Sequence, residues 1–182
     1  EIWPGIYEKA YARWRTGTDY CNNLDQVPLT SWPANAEGLV QLTACTLRNG
    51  DFTNPYSTIS NKCSGTKIKV AMVAWTQSGL TYGLDQMISD HTYSVMGIFG
   101  TDYIVLKNPK GIIPGTSSFG GSVVTSGSWG SISQSVYDCA TGALAQNRPA
   151  ISLNFGNCGI FALHRTLFTT SYFRGYAWVG PL

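Results

Sequence analysis

The chain has 182 residues, a net charge of +2 and only 12% charged residues, while aromatics reach 13%. Ordinary soluble proteins carry about 25% charged residues; with no basic run, nucleic acid is excluded as an expected partner. No apolar stretch approaches the roughly 20 residues of a membrane span, and the low charge with abundant Gly, Ser and Thr fits a secreted chain rich in strand and loop.

In chain order, the first element is a helix. Pro4 suits a first turn, Trp3, Ile6, Tyr7, Ala10, Tyr11 and Trp14 recur at three- and four-residue spacing, and Gly17 is a stop. Cys21 to Pro33 is turn-rich, and Leu39 to Leu47 suits a short strand or helix. Gly50 to Gly65 reads as loop. Lys67 to Thr76 alternates and then becomes continuously apolar, as a buried strand does. Leu80, Leu84, Met87 and Ile88 give a weak helical turn.

Next come two apolar strands with a histidine opening the first and an asparagine closing the second. They run Asp90-His91-Thr92-Tyr93-Ser94-Val95-Met96-Gly97 and Tyr103-Ile104-Val105-Leu106-Lys107-Asn108-Pro109. The midpoint between His91 and Asn108 falls on Phe99-Gly100, and glycine supplies the backbone freedom of a tight turn. Folded there, His91 faces Asn108, Tyr93 faces Leu106 and Val95 faces Ile104. Directly opposed Cβ atoms lie roughly 4.5–5.5 Å apart, within reach of an imidazole–amide hydrogen bond. A slip of one residue moves Asn108 to the other face. An ordinary hairpin ending in a satisfied histidine fits this spacing equally well.

Beyond the hairpin, Gly111 to Gly130 reads as surface loop or irregular strands, Val136 to Ala145 as a short helix, and Ile151 to Phe155 as a strand. Tyr176 to Val179 is a final strand. The five cysteines, Cys21, Cys45, Cys63, Cys139 and Cys158, form no Cys-x-x-Cys pair and no zinc pattern. Two disulfides and one unpaired thiol fit the count, and so do five buried free thiols.

These residues resemble the calpain branch of the papain-like cysteine proteases. His91 to Gly97 is similar to that family's His-Ala-Tyr-Ser-Val-x-Gly, and Asn108-Pro109-Lys110-Gly111 to its Asn-Pro-Trp-Gly. Glu8-Lys9-Ala10-Tyr11-Ala12 resembles its Glu-Lys-Ala-Tyr-Ala helix. Gly127-Ser128-Trp129-Gly130-Ser131 resembles its Gly-x-Trp-Ser-Asp, and Gly159-Ile160-Phe161 opens a segment similar to its closing one. The resemblance implies an α+β, papain-like two-lobed fold. Residues 1–66 would hold the remainder of a helical lobe and cleft-lining loops, and residues 67–182 an antiparallel β lobe carrying histidine and asparagine.

The implied chemistry is peptide-bond hydrolysis by a thiolate. His91 would be the general base and later the acid, with Asn108 orienting its ring. Substrate-binding residues are expected at Ala44, Cys45, Asp90 and Trp129. The family nucleophile stands upstream of the Glu-Lys-Ala-Tyr helix, and none of Cys21, Cys45 and Cys63 precedes an amphipathic helix whose amino end would depress a thiol pKa. The expectation is therefore a large subunit whose cysteine lies on a separate small chain of the same precursor, inactive without that partner. No cofactor is expected. Calcium is a family habit only, and no Asp-x-Asp-x-Asp loop appears.

Two departures stand out. Lys110 replaces the family tryptophan that shields the His–Asn bond, with Trp129 or Trp75 as substitutes, and Ala44-Cys45 replaces its cleft glycines. His164 is an alternative base without an opposing asparagine. A pseudoprotease and a carbohydrate-binding or toxin-like β module are the competing readings.

Overall fold

The computed structural model describes residues 46–79, 87–115, 120–132, 136–137, 144–146 and 151–180. Its centre is a nine-stranded antiparallel sheet. The strands are β1 (Leu47–Asn49), β2 (Cys63–Ser64), β3 (Lys67–Ile68), β4 (Ala71–Thr76), β5 (Thr92–Phe99), β6 (Tyr103–Lys107), β7 (Val123–Val124), β12 (Ile160–His164) and β13 (Phe173–Val179). The main path runs β1-β13-β4-β5-β6-β12-β7, with the β2–β3 hairpin attached to β5. Between β7 and β12 in the chain lie β8 (Ser128–Ile132), β9 (Val136–Tyr137), β10 (Leu144–Gln146) and β11 (Ile151–Asn154), which form two separate pairs, β8 with β11 and β9 with β10.

Side-chain alternation splits the core in two. Inward residues of β4, β5, β6, β12 and β13, including Ala74, Tyr93, Val95, Leu106, Phe161 and Tyr176, pack in one cluster. Val105, Ile160 and Ala162, on the opposite side of the same strands, pack with Trp129, Leu153 and Phe155 of the β8–β11 region. Burial on both faces explains why Ile104, Val105 and Leu106 form an unbroken apolar run, all 0% exposed.

The expected α+β, papain-like two-lobed fold with its helical lobe is overturned. The protein is mostly antiparallel β-sheet. Among the described residues there is one α-helix, α1 (Pro55–Ser60), and it falls in the stretch that reads as loop. Its start is locally encoded: Asn54 caps it by accepting from Ser57 N, and Pro55 occupies the first turn. Ile59, on its inner side, is fully buried in the first cluster. Of the helix expected over Val136–Ala145, the described ends are strands, β9 and β10, which pair with each other; residues 138–143 lie outside the described residues. The expectation of a helical lobe rested on motif likeness, whereas the apolar runs downstream of residue 66 have strand length and β-branched, aromatic character. The helix predicted over Trp3–Trp14 lies outside the described residues.

Candidate active site

His91 stands immediately before β5, where three short interactions pin the backbone. Thr76 N–H donates to His91 O at 3.0 Å, His91 N–H donates to Thr76 Oγ1 at 3.0 Å, and Asp90 N–H donates to Gln77 O at 3.1 Å. Asp90 adopts a left-handed φ of 49°, turning the chain sharply into the strand. Asn108 follows β6 and is only 2% exposed. Its N–H donates to Gly159 O at 2.9 Å, and its carbonyl accepts from Gly111 N at 3.0 Å.

The two side chains meet. His91 Nε2 lies 2.8 Å from Asn108 Oδ1, the distance of a good hydrogen bond. Their register differs from the predicted one. Val95 faces Leu106 rather than Ile104, because the turn occupies Gly100 to Asp102 and a bulge interrupts β5 between Val95 and Gly97. Gly97 makes that bulge possible: its φ is +146°, and a Cβ there would sit 2.1 Å from Thr66 O. The net slip of two residues keeps the face, so His91 reaches Asn108 diagonally.

The hydrogen-bond pattern assigns the imidazole tautomer. Lys110 N–H donates to Asn108 Oδ1 at 2.9 Å, so an acceptor oxygen, not the amide nitrogen, must occupy that position. The same oxygen faces His91 Nε2, which must therefore carry the proton. In the neutral ring Nδ1 is then left with a free lone pair, the requirement for a base. Burial holds the His91 pKa below the ordinary imidazole value; the Asn108 bond pulls upward, and the Lys110 ammonium adds to the depression. Tyr93, two residues on and on the same face, packs edge-on against the ring with centroids 5.0 Å apart.

The other expected site residues are dispersed. Trp129 is buried in the second cluster, donates Nε1–H to Ile98 O at 3.0 Å and has Lys67 Nζ over its ring. Trp75 alternates with the inward residues Ala74 and Thr76 and packs against Gly175. Among the described ring contacts, the aromatic side chain that packs against His91 is Tyr93. Asp90 is exposed beside His91. Ala44 and Cys45 lie outside the described residues. His164 bonds Thr166 Oγ1 through Nδ1 and stacks edge-on against Tyr103, its cross-strand neighbour, at the end of β12 away from Asn108. An open groove of about 380 Å³, lined by Phe52, Tyr56, Arg165 and Phe168 among others, lies at that same distant end.

Cys63 and Cys158 are free thiols. Cys63 Sγ–H donates to Ile59 O, and burial pushes its pKa up to about 11. Cys158 is exposed in the turn before Gly159. Cys21, Cys45 and Cys139 lie outside the described residues. Among the described residues no three His, Cys, Asp or Glu side chains gather to hold a metal ion, and no helix is long and apolar enough to cross a membrane.

No protein-family model, curated protein or solved structure matches the chain.

Thr76 and Gly159 are the supporting residues whose place beside the pair sequence reasoning missed. Tyr93 falls on the face of His91 by strand alternation, since residues two apart share a face, but its sequence context assigns it no role there. Thr76 and Gly159 contact the pair through strand neighbours distant in sequence, for which local pattern carries no signal.

Proposed function

We propose that the His91–Asn108 pair is the base and orienting half of a cysteine endopeptidase. The observation that carries the reading is the double hydrogen bond to Asn108 Oδ1, from His91 Nε2 and Lys110 N, which leaves Nδ1 as a proton acceptor. An imidazole held this way takes a thiol proton, and the imidazolium formed returns it to the leaving amine. Asn108 keeps the ring plane without adding negative charge, so the base stays neutral near pH 7. The motif resemblance around His91, Asn108 and Trp129 supports peptide as the substrate class.

The nucleophile belongs to a second, cysteine-bearing chain. Cys63 is a poor candidate because its thiol is protonated at neutral pH and bonded to Ile59 O. The test uses the native protein with whatever chains co-purify, treated with a thiol-reactive peptidyl inhibitor and analysed by intact mass. Label on a small chain, lost in His91→Ala, is the expected result. Absence of any His91-dependent label overturns the proposal.

A further inference from the structure

We propose that Thr76 and Tyr93 are positioning residues that hold the His91 imidazole in place for proton transfer. This rests on the reading of His91 as a base. The two side chains, together with the Thr76 amide, engage both backbone polar groups of Ile88 and of His91. Tyr93 Oη accepts from Ile88 N at 2.9 Å, and Thr76 Oγ1 donates to Ile88 O at 2.6 Å. Thr76 Oγ1 accepts from His91 N at 3.0 Å, while Thr76 N donates to His91 O at 3.0 Å. A hydroxyl has one proton, and the 2.6 Å contact to Ile88 O takes it in preference to the 3.2 Å contact to His91 O. Both polar atoms of the threonine side of this clamp are therefore committed.

The clamp is buried. Thr76 is 2% exposed and Tyr93 1%. Thr76 belongs to β4 and Tyr93 to β5, so the clamp spans two neighbouring strands and closes over the segment entering β5. Tyr93 acts twice, because its ring edge also meets the imidazole, with Phe161 edge-on behind it. Loss of the hydroxyl at position 76 frees His91 N–H and Ile88 O together and lets the ring move away from Asn108. Among the described residues, the charged and titratable groups facing the imidazole are Lys110, from the turn after β6, and the neutral Tyr93 phenol, with Asp90 beside it in the chain.

The chain has two histidines, so His91 is assigned in NMR spectra by its loss in His91→Ala. Imidazole nitrogen shifts report the tautomer, and a pH titration reports the pKa. The wild type is expected to show an Nε2–H tautomer titrating below 6.5. Thr76→Val is expected to move the titration up toward 6.5 and to mix the tautomers, while Thr76→Ser keeps the wild-type behaviour. A folded Thr76→Val with unmoved His91 titration and tautomer overturns the proposal, as does a Thr76→Ser that shifts equally. If Thr76→Val does not fold, Tyr93→Phe carries the test: an upward shift supports the clamp and an unmoved His91 refutes it. These signals need no partner chain. The endopeptidase reading fails separately, through inhibitor labelling that persists in His91→Ala.

Discussion

Replacing Asn108 by alanine removes the one oxygen on which both His91 and Lys110 converge. The side chain is 2% exposed, and its Oδ1 accepts at 2.8 Å from His91 Nε2 and at 2.9 Å from Lys110 N. A buried donor left without a partner costs about 1–3 kcal/mol. Lys110 is exposed, so water recovers part of its share; the two losses together come to about 2–4 kcal/mol. At this chain length 1 kcal/mol moves Tm by roughly 2–4 °C, which puts Asn108→Ala about 4–16 °C below wild type. Asn108→Asp separates geometry from charge. An aspartate accepts both hydrogen bonds and adds a negative charge beside the ring, which favours imidazolium. It is expected to retain most of the stability and to raise the His91 pKa above the ordinary value, the reverse of the wild-type direction. Thermal unfolding at pH 7.5 and an NMR titration of His91 measure the two effects. An Asn108→Ala variant as stable as wild type, or an Asn108→Asp variant whose His91 pKa still lies below 6.5, refutes the account of the pair.

The wild-type pH dependence has a definite sign. The native His91 pKa is depressed below the unfolded value of 6.5, so its contribution to stability is present above pH 6.5 and is lost as pH falls through the native value. Denaturant titrations of wild type and His91→Gln at pH 7.5, 6.5 and 5.5 are expected to show the wild type losing more on acidification, and parallel losses contradict the assignment. Gly159→Ala places a Cβ 2.5 Å from Asn108 O at a φ of +78°. Backbone strain of about 1–3 kcal/mol follows, read as a lowered Tm with a displaced His91 resonance. In a thiol-alkylation time course at pH 8, Cys158 is expected to react well before Cys63, whose pKa is near 11 and whose Sγ is bonded inside the fold. Equal rates at the two thiols contradict the burial of Cys63.

The strands around the site were legible because their residues declare them. Val70 to Trp75 is apolar throughout, and the structure alternates inward Met72 and Ala74 with outward Val73 and Trp75 along β4. Ile104 to Leu106 is buried on both faces and reads as a continuous apolar run. Helix α1 was missed because six residues carry less than two turns of periodicity, and its Asn54-Pro55 start looks the same as a turn. Val136 to Ala145 misled in the opposite sense: its apolar spacing suits a helix, but the residues at its two ends pair with each other. Tertiary pairing overrode local propensity there. The environment of Trp129 was also illegible. A short motif locates a residue in the chain, whereas the face of the sheet it packs against depends on where β8 and β11 dock.

The meeting of His91 and Asn108 depends on a bulge that the symmetric hairpin did not contain. Near the turn, Phe99 pairs with Tyr103 and Ile98 with Ile104, three positions out of the symmetric register. Carried along the strands unchanged, that odd offset would set Asn108 opposite Ser94, on the face away from Tyr93 and His91. The extra residue between Val95 and Gly97 removes one position and makes the offset even. Val95 and Ile98, three apart, then both point into the first cluster, while Met96 packs against the second. Gly97 tolerates this only because it lacks a Cβ, which Thr66 O would block. The β2–β3 hairpin that pairs with Gly97 therefore sits on the device that sets the parity of the site, although no residue of that hairpin bonds to His91 or Asn108 among the described contacts. Strand alternation alone places the histidine and the asparagine at the ends of neighbouring strands; their convergence is decided at Gly97, six residues along the chain from the base.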